Sequence, residues 1–181
     1  MTSLIIGLSI FIVICVIFMY LIGIYNKYQI YVIRINEAEA NIDSTLRKRF
    51  DFLNKSIGII KANTKIEEEI LENIVKLRSR KLSNFELDRQ LYDSINEFNK
   101  IKEEHPELKK SEAFIKIDLG LAESEAEIVA SRKYYNDIIT DYNKLVSVFP
   151  SNIVAIFGKY KTKLYYDGKD MSDEDNKDFK L

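Results

Sequence analysis

The chain has 181 residues, a length typical of one domain, and its 27 basic and 28 acidic side chains nearly cancel. This balance excludes the strongly basic field that is typical of nucleic-acid-binding proteins. Two prolines, six glycines and a single cysteine favour long helices and exclude a disulfide framework within the chain. We therefore predict an all-α fold.

The N-terminal segment predicts a transmembrane helix. Between Leu4 and Ile24 there is no charged side chain, and Ser9 is the most polar one. A helix of this length rises about 30 Å, the thickness of the hydrocarbon core of a bilayer. The alternative is a cleaved signal peptide, but no Lys or Arg precedes the apolar run and no small-residue cleavage site follows it. We assign residues 1–26 to a membrane anchor.

The charges and aromatic residues next to this segment predict its orientation. No Lys or Arg lies before it, whereas Lys27 and Arg34 follow closely. The positive-inside rule then predicts a single-pass cell-membrane protein with a short N-terminus outside and the rest of the chain in the cytoplasm. Tyr20, Tyr25 and Tyr28 lie where aromatic residues of the membrane interface usually occur.

Two helices are predicted next. The first extends from about residue 25 to 62, and nothing after Ile24 breaks it, so it is free to continue directly from the span. The second begins at Thr64, where Thr64 and Glu67 form a capping box, and extends to about residue 81. The first carries an apolar stripe at three- and four-residue steps, formed by Ile35, Ile42, Leu46, Phe50, Leu53, Ile57 and Ile60.

The third predicted helix begins near residue 83 and ends before His105, because a residue that precedes proline is disfavoured in helical geometry. The fourth extends from about Ser111 to Val148. Its apolar stripe consists of Phe114, Ile117, Leu121, Ile128, Tyr135, Ile139, Tyr142 and Val146. Four helices with one apolar stripe each bury those stripes against one another. We predict an antiparallel four-helix bundle over residues 27–150, with long first and fourth helices.

The segment 151–166 follows the bundle, and residues 167–181 form an acidic tail that we predict to be disordered. Three chain reversals bring the fourth helix back towards the bilayer, so the segment 151–166 is expected near the membrane. Two interpretations remain open, contact with the lipid headgroups or closure of the bundle core. The residues in question are apolar, Ile153, Ile156 and Phe157, and basic, Lys159, Lys161 and Lys163.

Polar residues on the two long helices predict a contact that sets their register. Antiparallel pairing of the first and fourth helices would bring Asn136 and Asn143 near Asn36 and Asp43. A buried polar set of this kind costs stability but specifies one alignment of the helices. We favour this structural role over a ligand site.

Three consecutive basic residues, Arg47, Lys48 and Arg49, have two interpretations. Consecutive helical positions spread over about 200°, so the three side chains do not face one partner together. Asp43 and Asp51 lie four residues from Arg47, which favours ion pairs within the helix. The alternative is a patch that binds a partner protein or a lipid headgroup.

Three stretches of the chain resemble the LemA family of bacterial membrane-anchored helical proteins. The first is similar to the family signature, with Ile42-Asp43, Leu46, Arg47-Lys48-Arg49 and Asp51 in place. The second is Pro106-Glu107-Leu108-Lys109 followed by Phe114. The third combines Glu125, Ile128, Arg132, Tyr135-Asn136 and Tyr142-Asn143 with Phe149-Pro150-Ser151-Asn152.

The resemblance covers about residues 30–160 and implies a four-helix bundle behind a single span. It brings no agreed molecular activity and hints at membrane organisation rather than catalysis. The chain departs from the family pattern at Asn54, at Ala62-Asn63 and at Ile66, where the family usually has Pro, Gly-Tyr and His. The turn between the first two predicted bundle helices is therefore expected to differ in shape.

The residues themselves indicate no enzyme. The single histidine, His105, lies on a turn, and the single cysteine, Cys15, lies in the apolar segment, so we predict no catalytic residue, metal site or cofactor. We predict a non-enzymatic, membrane-tethered scaffold that contacts lipid and assembles with itself or with other membrane proteins. The alternative is an adaptor or regulator of a membrane enzyme such as a protease. A hydrolase is less well supported, and neither nucleic acid nor a small-molecule substrate is indicated.

Overall fold

The computed structural model describes residues 1–63 and 84–166 of the chain. Within these ranges all regular secondary structure is helical. Helix α1 extends over Thr2–Asn63, α2 over Asn84–Glu104, α3 over Glu112–Ser147 and α4 over Ser151–Gly158, and a 3-10 helix covers Pro106–Lys110. The predicted second bundle helix and the predicted acidic tail lie outside the described residues. The all-α class is confirmed, whereas the complete four-helix bundle stays a prediction.

Helix α1 contains both the predicted span and the first predicted bundle helix, in one uninterrupted run of 62 residues. The run contains no proline, and its three glycines are isolated, so no residue breaks the backbone hydrogen-bond ladder. The predicted apolar stripe is buried along its full length: Ile35, Ile42, Leu46, Phe50, Leu53, Ile57 and Ile60. The three-to-four-residue spacing of apolar side chains therefore identified the packed face of α1 correctly.

The chain divides into two compact units, and α1 and α3 contribute to both. Of the described residues, the first unit contains 1–37 and 135–165, and the second contains 38–63, 84–134 and 166. We call them the anchor unit and the distal unit.

In the distal unit, α1 and α3 pack against each other in antiparallel directions. The ammonium group of Lys48 contacts Glu127 at 2.8 Å, while Phe52, further along α1, lies against Gly120, earlier on α3. A Cβ atom placed on Gly120 would lie only 2.5 Å from the ring of Phe52. The glycine thus allows the aromatic ring to reach the backbone of α3.

Helix α2 packs onto α3 in the same unit, also antiparallel, because Asp88 early on α2 contacts Arg132 late on α3, whereas Phe98 late on α2 contacts Phe114 early on α3. The rings of Phe98 and Phe114 stack with centroids 5.2 Å apart, and Lys102 forms an ion pair with Asp118 at 2.8 Å. Helix α2 ends at Glu104, as the His105-Pro106 pair predicted. The 3-10 helix over Pro106–Lys110, which was not predicted, then buries Leu108 in the turn.

A buried ion pair joins the N-terminal part of α2 to α3. Arg132 donates a hydrogen bond to Asp88, and both side chains are largely buried. The hydroxyl of Tyr166 lies 3.2 Å from the Asp88 carboxylate and 3.1 Å from the carbonyl oxygen of Asn84, and the Arg132 guanidinium lies over the Tyr166 ring. Burial and the charge of Asp88 raise the pKa of Tyr166 above its usual value.

This raised pKa predicts how the stability of the distal unit depends on pH. Above about pH 10 the unfolded chain ionises its tyrosines, whereas the folded state keeps Tyr166 protonated. The free energy of unfolding should therefore fall as the pH rises from about 10 towards the folded pKa. Tyr166→Phe should unfold more easily at pH 7, by about 1–2 kcal/mol for the lost hydrogen bonds, and should show a shallower alkaline decline.

Urea unfolding of the full chain in detergent, followed by circular dichroism between pH 7 and about pH 11, measures both effects. The matched control is Tyr134→Phe, because Tyr134 is an exposed tyrosine on α3. An alkaline decline of equal slope in the wild type and in Tyr166→Phe would contradict the assignment.

Candidate membrane interface

The anchor unit begins with the apolar segment of α1. Between Thr2 and Asn63 this helix includes a window long and apolar enough to cross a membrane, and none of that window is buried inside the molecule. Except for Leu21, its large apolar side chains from Leu4 to Ile22 are more than two-fifths exposed. Exposure of this much apolar surface to water is strongly unfavourable, whereas contact with the hydrocarbon of a bilayer or with a neighbouring span removes it from water.

Tyr28, four residues beyond Ile24, organises the packing that follows this segment. Its side chain has no exposed surface. Its ring stacks on that of Tyr160 with centroids 4.3 Å apart, and meets the edge of Tyr142 at 6.1 Å. Gln29 adds a hydrogen bond of 2.7 Å to the Tyr160 hydroxyl. Tyr28 was predicted to lie at the position of an interfacial aromatic residue, and the structure adds that its ring packs inside the protein.

The hydroxyl of Tyr28 binds the end of α3. It lies 2.6 Å from the carbonyl oxygen of Leu145 and 3.2 Å from that of Ser151. The last carbonyl groups of a helix have no partner within the helix, so a buried helix end needs such a donor. The Phe149-Pro150 peptide, which is cis, lies between these two acceptors. Tyr28 thus ties the turn after α3 to the part of α1 next to the apolar segment.

Helix α4 follows this turn and buries only one narrow face. Ser151 and Ala155 are buried, whereas Ile153, Ile156 and Phe157 are 40%, 74% and 84% exposed. Ile156 and Phe157 therefore do not close the bundle core, which was one of the two interpretations left open for this segment. Val148 and Phe149, which were not predicted to contact the membrane, are exposed beside them.

The chain beyond α4 is extended and returns along α3. Lys159 adopts a left-handed conformation, with φ 54°, and ends α4. The side-chain amide of Asn143 then binds the backbone of Lys163 twice, donating to its carbonyl oxygen and accepting from its N–H, each at 2.8 Å. Lys159 and Lys161 are exposed, and Lys163 is half-buried.

The four residues predicted as a buried polar set have other surroundings. Asn36 is exposed, Asp43 pairs with Arg47 on its own helix at 2.7 Å, and Asn136 is half-buried. The side chain of Asn143 is committed to the backbone of Lys163. The prediction is therefore corrected for Asn36 and Asn143. An extended segment has free backbone groups, and they satisfy the amide of Asn143 better than a second side chain would.

The basic residues 47–49 have three different environments. Arg47 forms the predicted pair with Asp43 within α1, whereas Lys48 pairs with Glu127 on α3. Arg49 is 1% exposed and contacts Glu125 at 2.5 Å. Among the described residues, its Nε and Nη1 atoms have no hydrogen-bond partner. The three residues do not form one surface patch, because Arg49 lies inside the distal unit.

These features define the class: an all-helical protein with one N-terminal helix that is long and apolar enough to span a membrane. The family model described as the LemA family matches residues 38–179. A relative named Protein LemA, from Metamycoplasma hominis, is 31% identical over 156 residues, which cover 76% of this chain and 70% of the relative. The chain belongs to the LemA family, as the residues of α1 and α3 indicated.

Because Arg49 is buried, substitutions of Arg49 and of its partner Glu125 should change the free energy of unfolding by different amounts. Removing Glu125 leaves the buried Arg49 charge without this carboxylate. Because the Glu125 side chain is itself 41% exposed, water reduces the penalty, and Glu125→Ala should lower the free energy of unfolding by about 1–2 kcal/mol. Arg49→Met replaces the buried charge by an apolar side chain of similar length and should be neutral or stabilising. The double variant with Arg49→Met and Glu125→Ala should recover most of the free energy of unfolding that Glu125→Ala alone loses.

Chemical unfolding of the full chain in detergent measures this cycle of variants. Lys48→Met, in the exposed pair with Glu127, serves as the control and should cost less than about 1 kcal/mol. A loss for Arg49→Met as large as that for Glu125→Ala would contradict the interpretation.

Proposed function

We propose that the protein is a membrane-tethered helical scaffold that contacts the same bilayer surface twice, through the apolar segment of α1 and through α4. The observation that carries this proposal is the exposure of Ile153, Ile156 and Phe157 on a helix tied to Tyr28. The first contact anchors the chain, and the second fixes its orientation at the membrane.

The position of α4 along α1 supports the second contact. Tyr28 lies four residues after Ile24, which is about 6 Å of helical rise from the end of the apolar segment. The headgroup layer of a bilayer is itself about 5–8 Å thick on each side. Since the Tyr28 hydroxyl binds the carbonyl of Ser151, α4 begins at the level of that layer.

The exposed surface of α4 supports a membrane rather than water as its surroundings. Burying an exposed Ile or Phe side chain contributes about 1.5–3 kcal/mol, and three such residues share this face. Val148 and Phe149 extend the apolar surface towards α3. Clustered exposed side chains of this kind mark interaction sites in soluble and peripheral proteins.

The basic residues that follow α4 favour anionic lipid. Lys159 and Lys161 are exposed, and each lysine near an anionic membrane surface contributes about 1 kcal/mol. The apolar contribution is larger, so binding of α4 should weaken with salt without being abolished. An apolar contribution combined with a smaller electrostatic one is typical of an interfacial helix that lies in the headgroup region.

A scaffold role follows from this arrangement. A helical body held at two points presents its other surfaces to neighbouring membrane proteins in one orientation, including further copies of the chain. The role proposed here is non-enzymatic, since it needs only lipid contact and protein contact. Crosslinking in native membranes, followed by identification of the captured chains, would name those neighbours.

The depth of Phe157 in the bilayer tests the second contact. With Cys15→Ser as background, a fluorescent label attached to Phe157→Cys should show blue-shifted emission and strong quenching by lipids that carry a shallow nitroxide. The expected result follows because the exposed face of α4 inserts into the headgroup layer. The measurement uses the full chain in phosphatidylglycerol–phosphatidylcholine vesicles.

The matched control is Leu119→Cys, which places the same label on an exposed apolar position of α3 in the distal unit. Its emission should be that of a label in water, with little quenching. A Phe157 label quenched no more than the Leu119 label would show that α4 does not touch the membrane.

The distribution of basic residues also predicts the side of the membrane on which the helical body lies. Lys27 and Arg34 follow the apolar segment and no basic side chain precedes it, so residues 27–181 should be cytoplasmic. A tag at Leu181 should therefore resist protease added to intact, wall-stripped cells and become sensitive after lysis. Digestion in intact cells would reverse the predicted topology.

A further inference from the structure

The anchor unit contains a second membrane-facing feature, a groove between α1 and α3 with a volume of about 540 Å³. We call it the basic groove. It begins three residues after Ile24, and its opposite wall comes from the last turns of α3. The residues that matter for its chemistry are Lys27, Ile30 and Arg34 on α1, and Asp141, Lys144 and Val148 on α3.

The charges of the basic groove are unbalanced. Three cationic side chains line it, from Lys27, Arg34 and Lys144, against the single carboxylate of Asp141. The Lys144 ammonium lies 3.8 Å from that carboxylate, beyond hydrogen-bond distance, and both side chains are mostly exposed. Within the described residues, Lys27 and Arg34 form no ion pair. The groove therefore retains positive charge that an anion would neutralise.

Its apolar residues point to an anion that carries hydrocarbon. Ile30 and Val148 line the groove and are 49% and 57% exposed. Ile33, one turn further along α1, is also exposed, so apolar surface continues beyond Ile24 on this helix. A free inorganic anion makes no use of these side chains, whereas a lipid presents a phosphate and the first methylene groups of its chains together.

The end of the groove nearest the apolar segment is expected at the depth of lipid headgroups, and Arg34 at its other end reaches that layer only through the length of its side chain. Lys27 is about 5 Å and Arg34 about 15 Å of helical rise beyond Ile24. Long basic side chains reach back towards the headgroup phosphates while their stems cover apolar surface. Basic pockets beside membrane-spanning helices are a recurring way of binding anionic headgroups.

We propose that the basic groove binds the headgroup of an anionic glycerophospholipid, with Lys27, Arg34 and Lys144 on its phosphate and Ile30 and Val148 against its glycerol and upper acyl chains. The proposal rests on the membrane setting proposed above and adds a lipid class to it. A bound lipid would link α1 to α3 beside the turn that Tyr28 holds, and would adapt the scaffold to membranes rich in anionic lipid.

The test measures lipids that remain on the full chain after extraction from vesicles of equal phosphatidylglycerol and phosphatidylcholine into mild detergent. Native mass spectrometry should show the wild type retaining phosphatidylglycerol in preference to phosphatidylcholine. Each cation removed, as in Lys27→Gln, Arg34→Gln and Lys144→Gln, should lower that retention about fivefold. Asp141→Asn, which removes the only carboxylate of the groove, should raise it.

The matched control removes three exposed lysines of the distal unit, Lys109, Lys116 and Lys133, by the same change to Gln. It alters the net charge equally and should leave retention unchanged. All of these positions are exposed, and the helical circular dichroism of each variant confirms that it remains folded.

Equal retention of the two lipids by the wild type would overturn the proposal. So would retention of phosphatidylglycerol at the wild-type level by a variant that combines Lys27→Gln, Arg34→Gln and Lys144→Gln. Complete release of the lipid by inorganic phosphate at a concentration equal to that of the lipid would show that Ile30 and Val148 contribute nothing and that the groove binds a free anion, which also overturns the proposal. Quenching of the Phe157 label, measured in the same vesicles, reports on the α4 contact separately. The failure of one proposal is thereby distinguishable from the failure of the other.

Discussion

The arrangement of the anchor unit depends on one buried side chain, Tyr28. Helix α3 ends in a turn through Pro150, and the carbonyl oxygens around that turn need a donor if they are to be buried. The Tyr28 hydroxyl supplies it, while the ring supplies the surface on which Tyr160 stacks. A single residue thus joins α1, the end of α3 and the segment beyond α4. The position of α4 beside the apolar segment of α1 is a consequence of these contacts.

The distal unit is held together in a different way. Its core is apolar, but charged pairs join its helices, through Arg49 and Glu125 between α1 and α3 and through Asp88 and Arg132 between α2 and α3. Buried ion pairs contribute little net stability, because the desolvation of the charges offsets their attraction. Each pair joins two helices at one point, although Nε and Nη1 of Arg49 and Nε of Arg132 have no hydrogen-bond partner among the described residues.

The two units therefore suit two surroundings. Aromatic rings, exposed isoleucines and uncompensated cations accumulate in the anchor unit, next to the apolar segment, where a bilayer offers hydrocarbon, interface and phosphate in succession. In the described part of the distal unit, four ion pairs join different helices: Lys48–Glu127, Arg49–Glu125, Lys102–Asp118 and Arg132–Asp88. The features of the anchor unit underlie both proposals. In these proposals, α4 contacts the membrane surface and the basic groove binds an anionic lipid.

The sequence by itself determined the helices and their buried faces. A run of apolar residues identified the candidate span, the His105-Pro106 pair predicted the end of α2, and spacing of three to four residues selected the stripe of α1 that is buried. These features are local, because helix propensity, proline geometry and apolar periodicity act within a few turns of one chain.

Only the tertiary structure decided which polar and aromatic side chains are buried. Tyr28 resembled an interfacial aromatic, Arg49 resembled one of three surface cations and Asn143 resembled a helix-register residue. Each depends instead on a partner that is distant in sequence, namely Tyr160, Glu125 and Lys163. A buried polar group needs a hydrogen-bond or ion-pair partner. Which residues become partners depends on how the helices pack, and the apolar periodicity of a single helix does not predict that packing.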